Sequence, residues 1–236
     1  MNKIIHKAQD RGKAEFGWLH SRHSFSFGNY YDPEKINFGL LRVLNDDIVE
    51  PGAGFGTHPH DNMEIISIVL EGALAHKDSM GSKSVIHKGD VQVMSAGTGI
   101  THSEFNDSKI EEVKFLQIWI FPDKQGLKPR YEQNKFSINE LENRILTVVN
   151  NEGNDGALFI NQKAAISLGQ LIKGSPINYK PNYKGNGIYI FNLEGRLLIA
   201  DEKLEVRDAI GIWETESMEI VAEEESKFVV IEVPIN

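Results

Sequence analysis

Hydrophobic residues along this chain come in short runs closed by glycine, proline or polar turns, and almost none follow a helical period. Phe38 to Leu44 (FGLLRVL), Glu64 to Leu70 (EIISIVL) and Val113 to Phe121 (VKFLQIWIF) read as strands buried on both faces, because their apolar character is nearly continuous. Val91 to Met94 alternates through Gln92, while Ala73 to His76 and Ser84 to His87 are shorter strands. Glu71-Gly72, Ser79-Met80-Gly81-Ser82 and Lys88-Gly89-Asp90 supply the turns between them. From Trp18 to Val49, aromatic residues interleave with turn residues. Many short strands with glycine turns predict an antiparallel sandwich or barrel.

The pattern then starts again. Pro122 to Pro129 (PDKQGLKP) is polar and rich in breakers, which predicts a linker and two domains, 1–122 and 123–236. Beyond it, residues 141–149 (LENRILTVV) and 164–171 open a second set of strands. Tyr189 to Gly195 (YIFNLEG) echoes Ile66 to Gly72 (ISIVLEG), and Val206 to Ile210 echoes Lys88 to Gln92. This is the signature of an internal duplication, so the fold class expected is all-β, two tandem antiparallel sandwiches.

Chemistry enters in the first half only. His58-Pro59-His60 and His102-Ser103-Glu104 each place two polar side chains at i and i+2, the spacing that puts both on one face of a strand. If the strands between fold back, three imidazoles and a carboxylate converge on one point. Such a set suits iron, copper, nickel, manganese or zinc. Two glutamates compete for the fourth place, Glu64 and Glu104, and the i, i+2 pairing with His102 favours Glu104. All eight histidines lie at or before position 102, so the second half can offer no site of this kind. His20 and His23 read as hydrogen-bonded surface or core residues, with His23 placed to line a cavity entrance; His76 and His87, within or at the ends of strands and without a second histidine at i±2, read as structural.

Composition narrows the partners. There is no cysteine, so a metal must be held by nitrogen and oxygen. The net charge of −9 argues against direct contact with nucleic acid. Neither a signal-type apolar segment nor a run of about eighteen apolar residues is present, so a cytoplasmic protein without membrane contact is expected. Phe55, Met63, Phe105 and Trp119 are expected near the site and suit a flat aromatic ligand.

The spacing from Gly54 through His58, His60 and Glu64 to Gly72, and from Gly89 through Gly97, Gly99 and His102 to Asn106, resembles the two-part motif of cupins. It departs at Gly97, where the motif has proline, and at Gly72, one residue late. HSRHSFSFGNYYDP (His20 to Pro33), HPHDNMEI (His58 to Ile65) and SAGTGITHSE (Ser95 to Glu104) resemble the pirin family within that superfamily. The resemblance implies a bicupin of two jelly-roll barrels and one divalent metal on His58, His60, His102 and Glu104, Fe(II) first, with Mn, Ni, Co, Cu or Zn as alternatives. It further implies a quercetin 2,3-dioxygenase-type reaction on a small aromatic substrate with O2, Glu104 serving as general base. The alternative it implies is a redox-responsive iron protein acting on a transcription regulator as protein partner.

Overall fold

The computed structural model describes residues 1–136 and 142–235. The first strands are β1 (Asn2–His6), β2 (Gly12–Glu15), β3 (Leu19–His23), β4 (Leu41–Val49), β5 (Gly54–His60) and β6 (Glu64–Glu71). They continue as β7 (Ala73–Asp78), β8 (Lys83–His87), β9 (Asp90–Ser95), β10 (Ile100–Asn106), β11 (Val113–Ile120) and β12 (Arg130–Lys135). The second series is β13 (Arg144–Asn150), β14 (Leu158–Phe159), β15 (Ala165–Leu171), β16 (Pro176–Tyr179), β17 (Asn186–Glu194) and β18 (Leu197–Ile199). It closes with β19 (Glu202–Leu204), β20 (Ala209–Trp213), β21 (Met218–Ala222) and β22 (Ser226–Pro234). Among the described residues the helical structure is one short 3-10 turn, Ala8–Asp10. No helix there is long and apolar enough to cross a membrane. The strand expected from residue 141 is β13; Leu141 itself lies outside the described residues.

The protein is all-β, built as two sandwiches in tandem. A seven-stranded sheet, β12-β9-β6-β11-β4-β3-β2, packs on a four-stranded sheet, β5-β10-β7-β8. A second pair, β1-β20-β17-β22-β15-β13-β14 over β16-β21-β18-β19, repeats this order, except that β14 lies parallel to β13 where β2 lies antiparallel to β3. The repeat extends to turns. Asp90 accepts the His87 backbone N–H at 2.9 Å, and Asp208 accepts that of Glu205 at 3.1 Å. The residue before each aspartate is left-handed, Gly89 at φ 88° and Arg207 at φ 68°. Arginine bears the conformational cost that glycine avoids, and its guanidinium is held by Asp46 and the Leu193 carbonyl.

Strand pairing runs across residue 122 in both directions. β1 lies against β20 at the edge of the second large sheet, and β12 lies against β9 at the edge of the first. The polar stretch 122–129 is irregular, as its composition predicts, and leads from β11 to β12.

Alternation sorts the core. Ile66, Ile68, Leu116, Ile118 and Ile120 point from the first large sheet into a cluster shared with Ile166, Tyr189, Phe191, Val229 and Ile231 of the second. That both-face burial explains why β6 and β11 read as continuous apolar runs. The second barrel is filled by a mostly aliphatic cluster that also takes in Tyr179, Met218 and Phe228. The first holds two separate apolar clusters, one around Leu19, Val49, Val69, Leu74, Ile86, Val113 and Phe115, the other around Ile65, Met94, Ala96 and Ile100. Polar side chains of the same inner faces, including Ser67, His76, His102, Glu104 and Gln117, are buried in this barrel as well.

Candidate metal centre

Three strands of the small sheet build the site. β10 alternates buried and less buried positions, with Ile100, His102, Glu104 and Asn106 facing inward. His102 stands opposite His58 on β5 and opposite Asp78 on β7; Glu104 stands opposite His76. A register shift between His102 and Glu104 resets β5, so Glu104 meets Phe55 on that side. Ring centroids of His58, His60 and His102 are 4.5–4.8 Å apart. One nitrogen from each lies within 4.8 Å of the others.

The donors are in the state a cation needs. The Nδ1 of His58 lies 2.8 Å from the Gly56 carbonyl, an acceptor only, so Nδ1 carries a proton and Nε2 is the nitrogen available to a cation. Burial lowers the His60 pKa to about 4, helped by repulsion from His58. Burial likewise lowers His102 to about 2, with repulsion from His58, His60 and His76 adding to it. Both are therefore neutral at physiological pH. Both ring nitrogens of His102 are buried without a hydrogen-bond partner, a cost that a bound cation would relieve. The residues present fit a divalent ion.

Glu104 is buried and accepts Gln117 Nε2–H at 2.9 Å, while the Ser67 hydroxyl lies 3.4 Å from its other oxygen and 3.0 Å from Gln117 Oε1. Burial raises its pKa to about 7 against the pull of these two bonds. Its carboxylate groups with His102 and His76, within 4.8 Å, on the inner side of the three-histidine cluster. Glu64, the competing candidate, is engaged elsewhere. It accepts the Ser95 hydroxyl at 2.8 Å and the Asn161 backbone and side-chain N–H groups, fastening the second half to the first.

Of the expected aromatic neighbours, Trp119 packs edge-on to His60 at 4.9 Å, with its indole N–H buried and unpartnered. Met63 packs with the cluster beside it, and Phe55 lies 6.5 Å from His58. Phe105 occupies an outward position of β10 and is 41% exposed, so it does not line the site. His20 is exposed and bonded to Glu15. His23 is buried against Phe27, whose ring abuts Trp119 at 5.3 Å. Sequence reasoning missed Ser67, Gln117, Asp78 and Tyr131. Ser67 and Gln117 carried a usable signal, a lone polar residue inside an otherwise apolar run.

A second buried carboxyl, Asp47, lies in the same barrel, bonded to the Ser21 hydroxyl and raised to about 7 by burial, with repulsion from Asp46 and Glu104 adding to it. A raised carboxyl pKa means the fold holds a proton that the unfolded chain releases above about pH 4. The Asp47 contribution to the stability of the metal-free protein is full below that point and is lost as pH rises through about 7, by a few kcal/mol, while the buried neutral imidazoles act in the opposite sense. Urea midpoints at pH 4 and pH 8 check this. The stability of wild type relative to Asp47→Asn should be greater at pH 4 than at pH 8, and a difference that does not change with pH would refute the assignment.

Residues 5–120 match the family model described as pirin, and residues 147–233 match the quercetinase C-terminal cupin domain. Quercetin 2,3-dioxygenase of Escherichia coli is 40% identical over 230 residues, covering 98% of each chain. The crystal structure of the bacterial pirin YhhW from Escherichia coli in complex with nickel(II) superposes with a TM-score of 0.94 at 39% identity, covering both chains completely. A quercetin 2,3-dioxygenase from Acinetobacter baumannii, at 22% identity and a TM-score of 0.76 over 95% of this chain and 85% of its own, shares the fold. With both halves matched and near-full-length identity of this order, the chain belongs to the pirin family.

Proposed function

We propose that this protein is a metal-dependent dioxygenase that opens the heterocyclic ring of a flavonol such as quercetin, releasing carbon monoxide. The observation that carries this reading is the convergence of three imidazoles, His58, His60 and His102, beside a buried carboxyl, Glu104, inside a barrel. The dioxygenase names of the near-full-length relatives support it. One divalent ion, Fe(II) or the nickel that the Escherichia coli relative holds, would supply Lewis acidity and redox contact between the substrate and O2.

The chain's own residues do the rest. His58, His60 and His102 would hold the ion, with Glu104 as the carboxylate ligand. Glu104 is the buried carboxylate beside the three imidazoles and would take the proton of the flavonol 3-hydroxyl. Gln117 and Ser67 fix its orientation. Trp119 offers an aromatic edge and a free N–H donor for a planar, oxygen-bearing substrate.

The test is anaerobic reconstitution with iron, manganese, nickel, cobalt and copper in turn, each assayed with quercetin for O2 uptake and carbon monoxide release. Metal-dependent O2 uptake with carbon monoxide in equal amount is expected. Tight metal binding with no O2 uptake in any form would overturn the enzyme reading and favour a redox-responsive binding protein.

A further inference from the structure

Directly opposed residues of neighbouring strands share one face of a sheet. In the first large sheet one such row runs through Gln133 on β12, Gln92 on β9, Ser67 on β6, Gln117 on β11, Asn45 on β4 and His23 on β3. All six positions are polar. The face is the inner one, because Ser67 and Gln117 bond Glu104, and Gln133 exchanges bonds with the Ser84 hydroxyl and the Val85 carbonyl of the small sheet. Five of the six are buried, and Gln133 is half-buried at the sheet edge.

The second barrel shows what the fold itself needs. Its equivalent row is Ile5, Ile210, Ile190, Val230, Ser167 and Thr147. The first four pack in the apolar core, and the last two bond each other at 3.1 Å. A polar row is therefore no requirement of the architecture. In the first barrel the row is also incompletely paired: among the described residues, Gln92 Nε2, Asn45 Oδ1 and His23 Nδ1 are buried without a hydrogen-bond partner. Internal water, which takes two to four polar partners, is what satisfies such atoms in folded proteins. They flank the groups that hold Glu104, Gln92 beside Ser67, and Asn45 and then His23 beyond Gln117. The β12 end is closed, since the Gln133 amide is bonded to Ser84, Val85, Asp90 and Tyr131. At the other end His23 stands opposite Gly12, and a Cβ on Gly12 would fall 2.3 Å from the ring of half-buried Tyr30, which covers that end alone.

We infer that the inner face of the first barrel carries a file of buried water from Gln92, past the Ser67–Gln117 clamp of Glu104, to His23 beneath Tyr30, and that the file conducts to solvent the proton removed from the substrate. The proton role rests on the dioxygenase reading above; the water does not. The O–H bond of the flavonol 3-hydroxyl breaks and the Glu104 carboxylate takes the proton. The adjoining water then accepts it while the file passes one on at the His23 end, so one proton leaves for each one taken and nothing is oxidised or reduced. Gln92, Asn45 and His23 are positioning residues that act through the water they hold.

Oxygen-17 relaxation dispersion counts long-lived internal waters in the metal-free protein and so reads the file without an assay. Asn45→Leu removes the polar atoms at nearly constant volume, and Gln92→Met does the same at a second place. Asn45→Ser installs the residue type that the second barrel has there and keeps a hydroxyl. Each apolar variant should lose at least one internal water and keep or raise its urea midpoint, because an unpaired polar group has been removed. Asn45→Ser should keep the wild-type count. In the reconstituted enzyme, Asn45→Leu should lower kcat by about tenfold, leave KM unchanged and raise the solvent deuterium effect on kcat, with Asn45→Ser close to wild type. A wild type without long-lived internal water, or a folded apolar variant with the wild-type count, would overturn the file. A lost water with kcat and its isotope effect unaltered would overturn the proton role. If no metal form of the wild type takes up O2, the dioxygenase reading and the proton role fall together, and the water count still decides the file.

Discussion

Replacing His102 by alanine is expected to abolish both metal binding and flavonol-dependent O2 uptake, whereas Glu104→Gln keeps the ion and lowers kcat by about a hundred- to ten-thousandfold. His102 belongs to both ligand groupings, and both of its buried nitrogens lack a protein partner. Without it His58 and His60 are left as one pair and His76 and Glu104 as another. Neither remnant is a three-coordinate site of the kind catalytic metals require. Glu104→Gln is a different experiment. The three imidazoles remain, and the amide oxygen can still accept the N–H of Gln117. What disappears is a carboxylate able to take a proton. Metal content separates the two variants before any assay is run. A Glu104→Gln protein with wild-type turnover would remove the general-base role, and a His102→Ala protein that retains one ion would remove the ligand assignment.

How legible this was in the sequence depends on what each residue does. The histidines were legible because a strand turns an i, i+2 spacing into a shared face, and β5 and β10 are adjacent in the small sheet. The duplication was legible because β6 and β17 occupy equivalent sheet positions and carry the same inward pattern. Sequence spacing could not show that Glu104 sits with His76, because β10 has two neighbours and a one-dimensional motif gives only one of them. Yet His76-x-Asp78 has the same i, i+2 spacing as the two pairs that were singled out. Tyr131 was hidden differently. It follows the polar stretch taken as a linker, but β12 returns to the edge of the first sheet and carries Tyr131 to His76. Edge strands contributed from the far side of a boundary have no local signature, and β1, paired with β20, shows the same thing in reverse.

That exchange of edges, together with the apolar layer between the large sheets, makes the site dependent on the half that carries no ligand. Phe191→Ala is expected to destabilise the whole protein by about 3–5 kcal/mol. Phe191 is fully buried on β17, in the cluster that joins Ile66, Leu116 and Ile118 of the first half to Val229 and Ile231 of the second. Its ring also lies 5.2 Å beneath the buried Arg11 guanidinium, two of whose nitrogens have no hydrogen-bond partner, so the truncation removes a cation–π contact along with the packing. Since small proteins are stable by only about 5–15 kcal/mol, the loss is a large fraction of the total. Urea unfolding reads it out from both halves. Trp119 stands beside His60, and Trp213 packs against the shared cluster. In variants retaining one or the other as the sole tryptophan, the two fluorescence transitions should shift together and remain superimposed. If the Trp119 transition stayed at its original midpoint while that of Trp213 moved, the two barrels would be separate folding units. Coincident shifts would instead mean that the histidine-free barrel holds the metal-bearing one in its folded state.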